Sequence, residues 1–400
     1  MSSCRLALIA LCLSSVNATP LRAQGTTAES GQLAGGRLSV GGDVAVSIAP
    51  TDPGFFTYGS YEHSALREFR VGLSAELRAS DRVSFLGEVR SQNLDDVSPF
   101  ALYARIRPFA NRRFDIQVGR IPPTFGRASR TPYGKENPLI GQPLAYQYLT
   151  SLRADALPAS AAELLSMRGR GWLANYSVGS LGASPGVPLA SAFEWDTGIQ
   201  VSTAWKAVSL TGAVTNGTIS HPLVSDDNAG KQVAGRVTVK AADGLEFGAS
   251  FARGQFLSRG VLRAISVEDG SNYIQQAEGV DMEFARGHWV LRAESIGSEW
   301  RIPLGGRTTA LRALATSGEA KYALLPGIYV AGRLEHLAFN RLSDSPEPLA
   351  WDAPITRFEV GGGYYLLRNL VARVSWQTNE RDGGRIRTGR LAAAQLLYWF

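Results

Sequence analysis

The chain has 400 residues, 19% of them charged, and its 41 Lys and Arg against 35 Asp and Glu give a formal charge of +6. Its two cysteines, Cys4 and Cys12, lie near the start, so the rest has no disulfide framework, thiolate metal site or cysteine nucleophile. No apolar run approaches the ~20 residues a spanning helix needs, which excludes a helical membrane protein.

In chain order, residues 1–23 read as a secretory signal peptide. Arg5 precedes an apolar core from Leu6 to Leu13, and small residues offer cleavage after Ala18 or Ala23. Removing this leader takes Arg5 and Arg22 with it and lowers the formal charge by two. Residues 24–35 are expected to be a flexible N-terminal segment, and 36–400 one folded body. The bases of that body are almost all arginine; Lys135, Lys206, Lys231, Lys240 and Lys321 are the lysines. Arginine keeps its charge at any physiological pH and presents a planar fork of donors to carboxylate or phosphate.

From residue 37 onward the signal is period-two alternation. Phe69, Val71, Leu73, Ala75 and Leu77 alternate with Arg70, Gly72, Ser74, Glu76 and Arg78, and Phe358, Val360 and Tyr364 face away from Arg357 and Glu359. Strands are predicted to begin near residues 37, 67, 83, 100, 114, 194, 208, 231, 245, 275, 288, 313, 328, 355, 369 and 388. Short turns (79–81, 110–111, 241–244, 287, 367–369) alternate with longer polar connections (50–65, 92–98, 219–230, 257–271, 299–309, 340–354, 379–387). Segments of roughly 10 residues with one apolar and one charged face suit a barrel with lipid outside and water inside. Lipid cannot satisfy open backbone edges, so such a sheet must close. The predicted fold is all-β, a transmembrane antiparallel barrel of about sixteen strands.

One segment breaks the pattern. The fifth strand, Phe114 onward, runs into Pro122–Pro123, which ends its ladder because proline donates no hydrogen bond. Residues 122–191 then form a long insertion, and a connection of that length implies function or its own structure. Within it, 159–167 is rich in helix formers and predicts one short helical turn, whereas 166–191 looks strand-like without an ascending partner.

The chain ends on an amphipathic strand, with Tyr398, Leu396, Ala394 and Ala392 on the face of the terminal Phe400. This ending resembles the signal by which the barrel-assembly machinery recognises bacterial outer-membrane proteins. The whole mature chain resembles a bacterial outer-membrane porin, and Val118–Gly126 ("VGRIPPTFG") resembles the phosphate-selective porin O and P family. The resemblance implies location in the outer membrane, contact with lipid and lipopolysaccharide, a homotrimer, and an insertion that folds inward to narrow the channel.

On that reading the constriction carries Arg127, Arg130, Lys135, Glu136 and Arg153. Arg70, Arg105, Arg107, Arg120, Arg236 and Arg357 face the lumen from the wall, opposed by acids such as Glu68, Glu88, Glu283, Glu294, Glu335 and Glu359. Excess positive charge at a narrow passage concentrates anions. The expected function is passive diffusion of small hydrophilic solutes, weakly anion-selective, with no cofactor, no metal and no nucleic-acid partner. A plugged structural or adhesive barrel acting through its outer loops is the alternative. Catalysis is not expected, because His63, His221, His288 and His336 are scattered and no serine-elbow motif occurs.

Overall fold

The computed structural model describes residues 31–400 except 61–62, 96, 110–112, 128–133, 193, 229 and 343–347. The expected leader therefore lies outside the described residues. Sixteen strands carry the architecture. The first five are β1 (Leu38–Ile48), β2 (Phe69–Arg78), β3 (Val83–Gln92), β4 (Val97–Ile106) and β5 (Phe114–Ile121). After the insertion come β6 (Asp196–Trp205), β7 (Val208–Thr215), β8 (Gln232–Ala242), β9 (Leu245–Gln255) and β10 (Ile274–Arg286). The remainder are β11 (Trp289–Leu304), β12 (Arg307–Leu325), β13 (Ile328–Phe339), β14 (Ile355–Leu367), β15 (Leu370–Arg381) and β16 (Thr388–Trp399).

Each strand pairs antiparallel with the next, and β5 pairs with β6 across the insertion, Asp196 opposite Ile121. The sheet closes between β1 and β16, from Asp43 opposite Trp399 to Ile48 opposite Ala394. Phe400 completes the seam by exchanging two backbone hydrogen bonds of 3.0 Å with Gly42. Residues 31–33 add a short antiparallel pairing with Leu38–Val40.

Burial is inverted relative to a water-soluble sheet. Val280 and Leu334 are each 60% exposed and Val374 63%, whereas Arg333 and Glu335 are 2% exposed and Arg357 and Glu359 are fully buried. Apolar side chains point out and ionised ones point in. Water would not tolerate so continuous an apolar exterior, and lipid requires it. Among the described residues no helix is long and apolar enough to cross a membrane, so the strands do the crossing.

One expected long connection, 299–309, is absent. β11 and β12 continue through it and are joined by Gly305–Gly306 at φ 58° and 79°. A two-residue hairpin turn of this kind needs positive φ at both positions, which glycine adopts without strain. Alternation fades there because the faces exchange character. Inward residues of β11 change from Arg292 and Glu294 to the buried Ile296, Trp300, Ile302 and Leu304, while outward ones change from Trp289 and Leu291 to Glu299 and Arg301. β10 to β13 thus rise beyond the lipid-facing belt, with an apolar inner face and a polar outer one.

That inner face is covered by the insertion. Helices α1 (Leu144–Gln147) and α2 (Ala161–Ser166) belong to it, and α3 (Arg259–Ala264) follows β9. Leu144, Tyr146, Leu152 and Leu164 of the insertion share one core with Phe256 and Val261 of the β9–β10 connection, Trp351 of the β13–β14 connection, and Trp300, Leu311 and Leu337 of the wall. α2 forms where the helix formers predict it. Ser160 caps it by accepting from Glu163 N at 3.2 Å, and Glu163 accepts in turn from Ala159 N at 2.6 Å. The strand-like stretch 166–191 supplies no barrel strand; Val178–Gly179 pairs only with Ala156–Leu157 inside the insertion.

Candidate functional site

The insertion turns into the barrel immediately after Pro122–Pro123. Phe125 packs over Gly279 of β10, and Gly126 sits at φ 64° where a Cβ would lie 2.1 Å from the Tyr146 hydroxyl. Only glycine fits that approach. The segment is then hung on the wall by buried carboxylates. Arg127 N donates to Glu294 at 2.8 Å, Leu144 N to Glu335 at 2.7 Å, and Ser151 N and Gly169 N to Asp352 at 2.6 and 2.8 Å. From the other side Arg373 donates to Gly134 O at 2.6 Å, Arg333 to Gly141 O at 2.7 Å and Tyr329 to Pro138 O at 3.0 Å.

Charges alternate along this inner wall. Arg127 pairs with Glu283; Arg292 bridges Glu283 and Glu319 at 2.8 and 3.0 Å; Arg333 reaches Glu319, Glu335 and Glu359 at 3.3, 3.1 and 2.7 Å. In such a chain each charge leaving water meets an opposite one already in place, which offsets its desolvation and makes the loss of any single member costly.

The sequence-derived site residues divide accordingly. Arg127 lies on the inner wall and spends its guanidinium on Glu283, with Glu246 at 3.8 Å. Arg153 is 1% exposed and faces the interior of the insertion, donating to Asp155, Ala174 O and Gly182 O. Arg130 lies outside the described residues. Lys135 and Glu136 belong to a short helical turn, Gly134–Glu136, at the edge of the insertion. Burial lowers the Lys135 pKa, while nearby Glu136 and Asp43 act in the opposite direction.

Five of the six wall arginines face the lumen. Arg70 pairs with Asp43 at 3.1 Å, Arg105 and Arg107 share Asp115 at 3.2 Å each, and Arg236 grips Asp281 with both nitrogens. Arg357 donates to Asn379, Gln142 O and Phe56 O. Arg120 is the exception. Its ladder partner is Leu102, which is 65% exposed, so it shares the outward parity of Phe114, Ile116 and Val118. At the rim it donates to the carbonyls of Trp195 and Pro99.

The insertion leans on β9 to β16, where Leu139 clusters with Leu397 and Ile140 with Leu391 and Ala393, and leaves space toward β2 to β4. A cavity of about 240 Å³ lies between its edge (Gly134, Asn137, Ile140) and the wall of β2 to β4 (Arg70, Arg90, Phe100). The Arg90 guanidinium lies 3.3 Å above the Phe100 ring. Sequence reasoning missed Arg333, Arg373, Lys321 and Asp352. The parity of the three cations was readable, but their partners lie outside any local pattern, and Asp352 sits in the β13–β14 connection where no alternation marks it. Among the described residues no group of three or more His, Cys, Asp or Glu side chains is arranged to hold a metal.

A closed sixteen-strand barrel with an apolar exterior, a charged lumen and an inward insertion has the fold of an outer-membrane porin. Solved structures share it over almost the whole chain. An anion-selective porin from Comamonas acidovorans matches at TM-score 0.56 and 10% identity, covering 91% of this chain and 99% of its own. OmpF of Salmonella typhi matches at 0.54 and 12% (91% and 97%), and the outer-membrane channel DcaP of Acinetobacter baumannii at 0.52 and 10% (93% and 100%). No family model and no curated sequence matches, so the resemblance of Val118–Gly126 to the phosphate-selective family has no support in sequence. The barrel, its lipid-facing belt and the shared fold place the protein in the bacterial outer membrane.

Proposed function

We propose that the protein is a passive diffusion channel for small hydrophilic solutes, weakly selective for anions, and that solutes pass between the insertion and the wall of β2 to β4. The observation that carries this reading is the uneven seat of the insertion: it is packed against β9 to β16, while a polar cavity remains between it and β2 to β4. Passage needs no turnover and no cofactor, only a water-filled path whose charges set the relative cost of each ion.

The preference for anions rests on different residues from those expected. Arg127 and Arg153 are neutralised by carboxylates or buried. Arg373 lines the cavity and, among the described residues, donates to the neutral acceptors Tyr329, Gly134 O and Gln395. Reconstitution in a planar bilayer tests the proposal: discrete conductance steps, and a reversal potential under a KCl gradient whose sign favours Cl⁻. Steps with a cation-favouring sign overturn the selectivity and leave the channel.

The apolar core that joins the insertion to the β9–β10 connection favours a second reading, a plugged barrel that acts through its outer loops. Correctly folded, heat-modifiable protein that conducts nothing decides for it. Assembly as a homotrimer, recognition of Tyr398 and Phe400 by the assembly machinery, and contact with lipopolysaccharide belong to the same proposal.

A further inference from the structure

The strand β14 carries the run Gly361-Gly362-Gly363, which motif reading passed over. By register Gly361 and Gly363 share the inward face with Ser375 and Arg373 of β15 and with Ala331 and Tyr329 of β13. A Cβ at Gly363 would lie 2.5 Å from the Tyr329 hydroxyl, and one at Gly361 3.0 Å from Leu139. The bare strip lets the Tyr329 ring lie across β14, so that its hydroxyl meets Arg373 Nε at 3.0 Å. On the other side of the ring's own strand, the Lys321 ammonium of β12 stands 4.3 Å from the ring centre. Two cations separated by two strands are thus gathered on one tyrosine.

Neither cation has a carboxylate within ion-pair distance among the described residues. Glu319, two positions from Lys321 on the same face, is already held by Arg292 at 3.0 Å and Arg333 at 3.3 Å. Arg373 is 3% exposed and its acceptors are a phenol, a carbonyl and an amide oxygen. Along the chain from Arg127 to Glu359 the arginines are matched by acids, whereas Arg357, like Arg373, donates to neutral acceptors but, among the described residues, has no second cation gathered beside it on one ring. Here two positive charges in a poorly hydrated place stand uncompensated, and their repulsion is relieved by an anion from solution. We propose that Lys321 and Arg373, aligned by Tyr329, form a binding site for a small oxyanion beneath the insertion, at the short-turn end of the barrel. The site deepens the channel reading only in how the anion arrives; binding itself does not depend on conduction.

Sulfate is the probe, because it keeps both charges across the working pH range. Calorimetry on the folded protein in detergent is expected to show saturable sulfate binding. Lys321→Met weakens it about tenfold or more, and Lys321→Arg restores it. Lys321 makes no hydrogen bond among the described residues, so its variants are expected to fold, and heat-modifiable migration verifies that. In a bilayer, sulfate added at the short-turn side lowers chloride conductance at a smaller concentration than sulfate added at the other side. Wild-type protein that binds no sulfate, or a Lys321→Met variant that binds it equally well, overturns the site. A wild type that binds sulfate but conducts nothing overturns the channel and leaves the site standing.

Discussion

Arg236 and Asp281 show what charge inside this barrel does. Both are under 10% exposed, and the guanidinium meets the carboxylate at 2.6 and 2.8 Å while also donating to Ser250 at 2.9 Å. Removing one partner strands the other without water, at a cost of about 3–5 kcal/mol. Arg236→Ala is therefore expected to lower the urea midpoint of the lipid-reconstituted barrel by that much stability, and adding Asp281→Asn to recover part of it. A midpoint that does not move would show that water enters the pair. Lys135 gives a pH prediction of opposite character. Burial lowers its pKa below the ordinary 10.5, so it loses its positive charge at a lower pH than a free lysine does. Anion preference, read as reversal potential, is expected to begin falling on the alkaline side below pH 10.5, and Lys135→Met to remove that early phase. A profile identical in the variant would sever Lys135 from the path.

At the scale of elements, the insertion is held by a wall prepared to receive it. Leu139 is 1% exposed and enters the space above Gly361, next to the hydrogen bond from Tyr329 to Pro138 O. At Gly361 a Cβ would lie 2.3 Å from the Val374 carbonyl oxygen and 3.0 Å from Leu139, so Gly361→Leu is expected to lower the thermal stability of the barrel locally, to push the edge of the insertion toward the cavity and to reduce single-channel conductance severalfold. An unchanged conductance would mean that the edge does not border the path. The insertion itself was legible in sequence, because Pro122–Pro123 ends a ladder that nothing resumes before Asp196. Its helix was legible too, through the helix formers of 159–167. Arg120 was misplaced because its charge was weighed over its position: two residues from Val118, it shares that residue's outward face. The wall chemistry was the least legible part. Arg333 pairs with Glu359 of the neighbouring strand and with a carbonyl nearly two hundred residues away, and no local pattern records that.

The whole barrel is uneven. β1 to β7 have 8 to 11 residues, whereas β10 to β13 have 12 to 19. At ~3.3 Å per residue the longest strand outruns an apolar belt of ~25 Å, so part of it stands in water. The side chains mark the crossing. On the outer face of β10, Gln276 and Glu278 give way to Val280, Met282 and Phe284; on β11, Arg301 and Glu299 give way to Leu291 and Trp289. Arg301 and Arg312 both pair with Glu299 on that outer face, at 2.9 and 2.7 Å, an exposed cluster that lipid tails would exclude. The same change, reversed, turns the inner face apolar and gives the insertion its core. One boundary thus explains both the failed alternation near residue 300 and the seat of the insertion. Cysteine placed at 301 or 312 is expected to react with a membrane-impermeant maleimide on intact cells, and cysteine at 291 or 330 to react only after the membrane is dissolved. Labelling at 291 equal to that at 301 would move the belt and, with it, the height at which the insertion narrows the lumen.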